Sequence, residues 1–511
     1  MTSYSRKSPS LQRSPCVQGR SIQAANSLSL SGFDRECLSY LQDSILVVAL
    51  GKHWPWSTVS YTYHKIAPKE PMVMSMILAS TAREIYRAKL YDAEATALDS
   101  LPAIDQSDMD GRVHYGRALS SLREALKQEV KSPQQIEAIF ITLWLMIDYE
   151  NRFGGGASAI NIHIRGIETL LHNHIVPLLQ GHTPQTAILD APVPLQQAET
   201  HSDATTLGEY ASNEDSAPIA PPSGPTNGLG GTCVPLYLLW TLYFFTPAAL
   251  FFGSGTARLD TDIFRFFLKS ETGDTALSLT ELYRLSRQSP SRFWGDGYPI
   301  SSQLDDLENL PGLTLYHRSH VVQFKITEMF RHSAGPDTSF GEGSPYQKIV
   351  KEINTLAMEY DTVLISAKRS PTCDVAGDRR VMETIFWSAI TFYGTIVYFH
   401  LCFDDLVKNQ SGLENNERNI LPLTAAVSLV LELSLKMHRS RPRLLVRIVW
   451  PLFIAGIATS DRIYQDWVSI RLRELGRYGQ NYERISRRFD EVSQGGQSHF
   501  HERRGHYYIG T

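Results

Sequence analysis

The sequence predicts an all-α protein, a large multi-helix array interrupted by one disordered internal linker. Three observations carry that expectation. Apolar residues recur at helical spacing through most of the chain, helix-start signals precede several of these stripes, and no alternating strand run with hairpin turns and no repeat of fixed period occurs. At 511 residues, with 42% hydrophobic and 20% charged positions, the chain has a globular composition and the length to bury a large core.

Residues 1–32 form a basic, Ser-rich lead-in with Arg6, Lys7, Arg13 and Arg20 and no acid. It lacks the apolar stretch of a secretory signal and the clear amphipathic spacing of a transit peptide, so disorder is expected. The first part of a helical domain, residues 33–180, follows. Met72 to Leu90 behind Pro71 places Ile77, Thr81, Ile85 and Ala88 on one side. A second stripe of Tyr115, Ala118, Leu119, Leu122 and Leu126 lies behind a candidate cap, Asp110. Ser132-Pro-Gln-Gln135 is a capping box with proline at the first helical position. A helix therefore starts there and runs through Ile136, Ile139, Phe140, Leu143, Trp144 and Ile147 to Gly154-Gly-Gly156. In the next helix Ile160, His163, Ile164, Ile167, Leu170, Leu171 and His174 share one face. Gly166 costs about 1 kcal/mol relative to alanine in a helix interior, which implies close approach of another helix. His163 reads as a core histidine.

Residues 181–233 hold Pro184, Pro192, Pro194, Pro218, Pro221, Pro222 and Pro225 among Ser, Thr, Asp and Gly. Such a segment cannot bury enough apolar surface to offset its ordering entropy, and it reads as a disordered linker. The second part of the helical domain, residues 234–495, is expected to break at loops around Ser289–Gly297, Ser333–Pro345 and Asn409–Asn419, and residues 496–511 form a flexible tail. Val234 to Gly253 and Thr384 to Phe403 are apolar runs long enough to span a bilayer. Their Pro247, Gly394 and His400, and the amphipathic helices around them, favour buried core helices over membrane spans.

The charge balance, 49 basic against 53 acidic residues, gives no global positive field for nucleic acid. Cys16, Cys37, Cys233, Cys373 and Cys402 are scattered and odd in number, which fits a reducing compartment and neither a disulfide framework nor a zinc cluster. Gln106 to Gly111 begins like a calcium loop, but its first position is Gln106 and its twelfth is Arg117, where a glutamate is required. Gly154 to Gly156 lacks phosphate-loop spacing. Asp404-Asp405 is followed by Lys408 and Asn409 instead of a second acidic group and reads as a solvated helix end. His172 and His174 point to different helix faces, and His499, His501 and His506 sit in the tail. Arg439 to Arg447 and Arg484 to Arg488 read as arginines on the exposed sides of packed helices. No catalytic, cofactor-binding or metal-binding residue is assigned, no cofactor is expected, and the chain is read as not an enzyme.

The order of segments carries a family resemblance. MVMSMILASTA, the helix with Tyr115, Ala118 and Leu119, FITLWLMIDYE and HIRGIETLL resemble the front half of the fungal-specific transcription factor domain. SAITFYGTIVYFHLCF from Ser388, Trp450-Pro-Leu-Phe-Ile-Ala-Gly456, Asp461-Arg462, Leu475-Gly476, Gly479 and Asn481 resemble its back half more strongly. The resemblance spans roughly residues 33 to 494. It implies a nuclear regulatory domain, usually found downstream of a six-cysteine binuclear zinc cluster that reads DNA. Residues 1–60 hold only Cys16 and Cys37, so the expected protein lacks that cluster or has it upstream of residue 1. The partners implied are proteins of transcription, with a homodimer and a small-molecule effector as further options. DNA is contacted only indirectly or through a missing N-terminal module, and no membrane is involved. The rival readings are a helical small-molecule-binding protein or enzyme and, behind it, a membrane-associated protein.

Overall fold

The computed structural model describes residues 30–95, 106–128, 132–155, 157–177, 231–251, 263, 266–267, 278–332, 343–373, 380–411 and 420–494. Among the described residues there are seventeen α-helices and no strand, as the periodicity predicts. The front of the chain supplies α1 (Gly32–Tyr40), α2 (Ile45–Leu50), α3 (Thr58–Tyr61), α4 (Pro71–Ala95), α5 (Gln106–Lys127), α6 (Pro133–Phe153) and α7 (Ala157–Leu170). The back supplies α8 (Val234–Phe251), α9 (Leu279–Trp294), α10 (Ile300–His332), α11 (Pro345–Glu359), α12 (Asp361–Arg369) and α13 (Val381–Ser411). It ends with α14 (Leu423–Ser440), α15 (Val449–Ala458), α16 (Arg462–Glu474) and α17 (Gln480–Gln494).

Two helices organise the interior. In front, α4 lies between α5 and α6, and its residues from Met72 to Ala82 are buried on every side. Behind, α13 is clasped by α10, α14 and α15. By length and composition α13 could cross a membrane, yet its apolar stretch is enclosed by protein helices, as expected of a core helix. The first ten residues of α8, the other apolar run, are likewise buried. Front and back share one continuous core: α17 packs on α6, the turn Leu475–Tyr478 packs on α4, and α2 packs on the 3-10 turn Pro442–Arg447.

Several local expectations hold at atomic detail. The Ser132 hydroxyl accepts from the Gln135 amide at 3.2 Å, and the Gln135 side chain accepts from the Ser132 amide at 2.9 Å. A Cβ added at Gly166 would lie 3.2 Å from Leu143 of α6, so the glycine marks a helix crossing. Other expectations need correction. Asp110 is not a cap, because α5 begins at Gln106. Its inner face is Gly111, His114, Ala118 and Leu122, and Leu119 and Leu126 are exposed. The loop expected at Ser289–Gly297 is largely helix: α9 runs through Pro290 to Trp294, because burial of Leu279, Leu282 and Leu285 outweighs the one backbone bond that Pro290 removes. After α7 a π turn over Leu171–Ile175 inserts one residue, so Ile175 is buried where the regular helix would have placed His174.

The lead-in up to residue 29, most of the expected linker (181–230) and the tail from 495 lie outside the described residues, as do most of the expected loops at 333–342 and 412–419. The last residues of the expected linker, Thr232 and Cys233, are buried, and Cys233 donates its backbone amide to Glu137 at 2.9 Å.

Candidate functional site

The polar residues singled out by sequence do not converge. His163 is buried and hydrogen-bonded to the Tyr115 hydroxyl at 3.0 Å, and burial pushes its pKa down to about 4, which keeps it neutral scaffold. Residues 106–111 form the first turns of α5, where Asp108 pairs with Arg83 and Arg112. His172 is exposed, His174 half-buried, and the tail histidines lie outside the described residues. Asp404 lies within the long helix α13 and bonds His400 Nδ1 at 3.0 Å, while His400 Nε2 contacts the Leu421 carbonyl at 2.9 Å. Among the described residues no group of three His, Cys, Asp or Glu side chains is arranged to hold a metal ion.

Two buried charged centres stand out instead, and neither had a sequence signal. The first joins the front helices. Arg152 near the end of α6 donates to Asp148 at 2.6 Å and to Glu84 of α4 at 3.0 Å. Glu84 also accepts from Tyr40, the Ser44 hydroxyl and the Ile45 amide, each at 2.8 Å. Burial opposes the charge on Arg152, but Asp148 and Glu84 together outweigh it and hold the guanidinium above its ordinary pKa. The one guanidinium is shared by both carboxylates, so each of the three charged groups touches an opposite charge.

The second centre lies where α2, α10, α13 and the Pro442–Arg447 turn meet. Arg380, just before α13, donates to Asp305 at 2.7 Å, to Asp306 at 3.3 Å and to the Gly51 carbonyl at 2.8 Å. Lys52 donates to Asp306 at 2.5 Å and to the Ser302 carbonyl at 3.1 Å, and Tyr298 donates to Asp306 at 2.5 Å. Glu383 lies 3.2 Å from His53 and 3.3 Å from Arg441. Beside them Arg447 is 6% exposed, with its guanidinium carbon 3.9 Å from the Trp387 ring centroid and 5.2 Å from that of Trp240. Its Nη1 donates to the Val48 carbonyl at 3.4 Å. Among the described residues, Nε and Nη2 have no acceptor. Burial pushes the Arg447 pKa down to about 10. The expectation that arginines 439–447 line an exposed helix side is therefore wrong at its most consequential position. Arg443 stays half-buried at the surface, bonded to the exposed Asp43 carbonyl, while the 3-10 turn that replaces the assumed helix turns Arg447 inward.

Several back-half residues of the family resemblance dock or cap helices. Gly394 lets Pro451 of α15 lie against α13, since a Cβ there would be 2.8 Å from the proline Cβ. Asp461 caps α16 by accepting from the Ile463 amide at 2.9 Å. Gly479 lies against the Arg152 carbonyl, where a Cβ would approach to 2.7 Å. Asn481 then donates to the Asn151 carbonyl at 2.7 Å and the Glu150 carbonyl at 3.2 Å, and Gln480 donates to the Phe153 carbonyl at 2.5 Å. The C-terminal carbonyls of α6, which a helix end leaves without intrahelical donors, are satisfied by α17.

Comparison with known proteins bears on the back half alone. Residues 323–492 match the family model described as the fungal specific transcription factor domain. That stretch contains every back-half motif residue named above; the front-half resemblance lies outside it. No curated protein and no solved structure matches the chain.

Proposed function

We propose that the protein is a transcription regulator, present in the nucleus, that works through contacts of its helical domain with other proteins or an effector and performs no catalysis. The observation that carries this reading is the match of residues 323–492 to the fungal specific transcription factor domain. The all-helical architecture and the docking role of the motif residues fit a scaffold whose surfaces matter more than any reactive group. Specific DNA recognition needs an element that fits a groove and a local positive surface to hold phosphates. Arg443, Arg447 and Arg484 spend donors on backbone carbonyls, Arg441 and Arg488 face carboxylates, and this works against such a surface.

Fused to an unrelated DNA-binding domain, the chain is expected to change reporter expression in a fungal host, and the chain alone is expected to give no sequence-specific gel shift with or without zinc. A fusion that reaches the nucleus and leaves the reporter unchanged refutes the regulatory reading. A zinc-dependent specific shift refutes the indirect route to DNA.

A further inference from the structure

A guanidinium offers two forks to an anion, one of which is the side-on pair Nε–H and Nη2–H. In Arg447 that side-on edge is buried and has no acceptor among the described residues, while Nη1 reaches back to Val48. Leaving a buried cation without a partner is costly, so a fold that keeps one invites a reason. The charges around it sharpen the point. Lys52 and Arg380 are balanced by Asp305 and Asp306, and Glu383 is engaged by Arg441 and His53. Arg447 is the remaining charge of the centre, and it calls for a single negative charge.

We propose that Arg447 receives the carboxylate of a small organic acid, whose apolar or aromatic body packs among Trp240, Trp387 and Tyr316. A carboxylate presents two coplanar oxygens that match the side-on fork, and its one charge neutralises the one guanidinium. A phosphate dianion fits less well, because its second charge would stay uncompensated in a dry site. The rings supply what a planar acid needs besides the fork: Tyr316 meets Trp387 edge to face at 4.5 Å, and Trp387 already stacks on the guanidinium.

A ligand would enter by displacing the strap from Val48 to His53. It lies over Arg447 and is held by polar side-chain contacts: Arg380 to the Gly51 carbonyl, Lys52 to Asp306, and His53 to Glu383. Gly51 has φ 79°, and any side chain there would collide with Arg447 Nη1, so glycine lets the strap close directly on the guanidinium. The inference deepens the effector arm of the proposed function and rests on that reading for its purpose.

The test uses the purified full chain, without DNA or reporter, so binding can succeed or fail independently of the regulatory assay. Tryptophan fluorescence and melting temperature are followed against benzoate, with benzamide and inorganic phosphate as comparisons. The expected result is a saturable fluorescence change and a raised melting temperature with benzoate, and none with benzamide. Arg447→Met should remain helical by circular dichroism, melt no lower than the parent, and bind benzoate roughly tenfold more weakly or not at all. Arg447→Lys, which keeps the charge and loses the fork, should show the same loss. The proposal is overturned if benzoate gives no saturable response, if phosphate binds more tightly than benzoate, or if either variant responds like the parent. It is also overturned if Arg447→Met melts well below the parent, since the guanidinium would then be a structural brace.

Discussion

Arg152 and Arg447 are both buried arginines, and they solve the same problem differently. Arg152 sits between Asp148 and Glu84, with Glu84 further held by Tyr40, Ser44 and the Ile45 amide. Arg447 has two tryptophan rings and a carbonyl but no carboxylate within hydrogen-bond reach among the described residues. A fully paired buried charge fixes how elements fit together, here α4, α6 and the segment around Tyr40 to Ile45. A buried charge left with a free fork adds little to that fit and leaves its strongest interaction for something outside the chain. Among the described residues, where no His, Cys, Asp and Glu side chains gather to hold a metal, the contrast separates scaffold from the proposed site.

The largest expected effect comes from breaking the paired centre. Arg152→Met leaves Glu84 and Asp148 as uncompensated buried carboxylates and should cost about 3–5 kcal/mol in chemical denaturation. Arg447→Met should cost nothing comparable. If the two substitutions destabilise equally, the distinction between the centres collapses.

Next in size is Gly479→Ala. The new methyl would meet the Arg152 carbonyl at 2.7 Å, and because that atom is backbone, no rotamer change relieves it. The expected loss is about 1–3 kcal/mol, read as a lower melting temperature. Below that temperature the benzoate response at Arg447 should persist, since α17 docks at the other centre. Loss of both together would mean that the two centres are coupled.

These residues also mark how far the sequence could be read. Helices, the capping box at Ser132 and the crossing at Gly166 were legible because each depends on neighbours in the chain. The back-half motif was legible as a pattern, while its purpose, Asn481 reaching the end of α6, depends on residues more than three hundred positions apart. Arg447 gave no signal, because an arginine in a Pro-Arg-rich turn looks solvent-facing until Trp240, Trp387 and the Gly51 strap are placed around it. The helix through Pro290 and the buried position of Ile175 were missed for a related reason: tertiary packing overrode a breaker in one case, and a π turn shifted the phase in the other.

A smaller effect tests the comparison along the aromatic ladder that leads away from Arg447. Trp387 meets Tyr316, and Tyr316 meets His320 at 4.4 Å. Both ring nitrogens of His320 are buried, and the polar side chain beside the ring is that of Gln323. Unlike arginine, histidine escapes by staying neutral: burial, then the neighbouring His317, push its pKa down to about 3 against a smaller opposing contact from Gln323. The unfolded chain, with histidine near 6.5, therefore binds more protons between roughly pH 6.5 and 3, and stability falls as pH drops through that window. His320→Leu should remove about 1–2 kcal/mol of that acid loss by pH 5 and lower the midpoint of acid unfolding. An unchanged acid limb would refute the neutral state of the ring.

The smallest expected effect bears most directly on whether Arg447 is truly without a counter-charge. Glu383 is the nearest candidate, since it raises the Arg447 pKa through space even as burial lowers it. Its oxygens nevertheless lie on His53 and Arg441, whose side chains are 47% and 48% exposed. Pairs with partners that exposed contribute little, so Glu383→Gln should cost less than about 1 kcal/mol and leave benzoate binding in place. With one local negative charge removed, the affinity for benzoate should rise slightly, because nothing then competes for the guanidinium. A loss of 3 kcal/mol or more, on the order seen when a buried pair is broken, would identify Glu383 as the partner of Arg447, and the second centre would be as fully paired as the first.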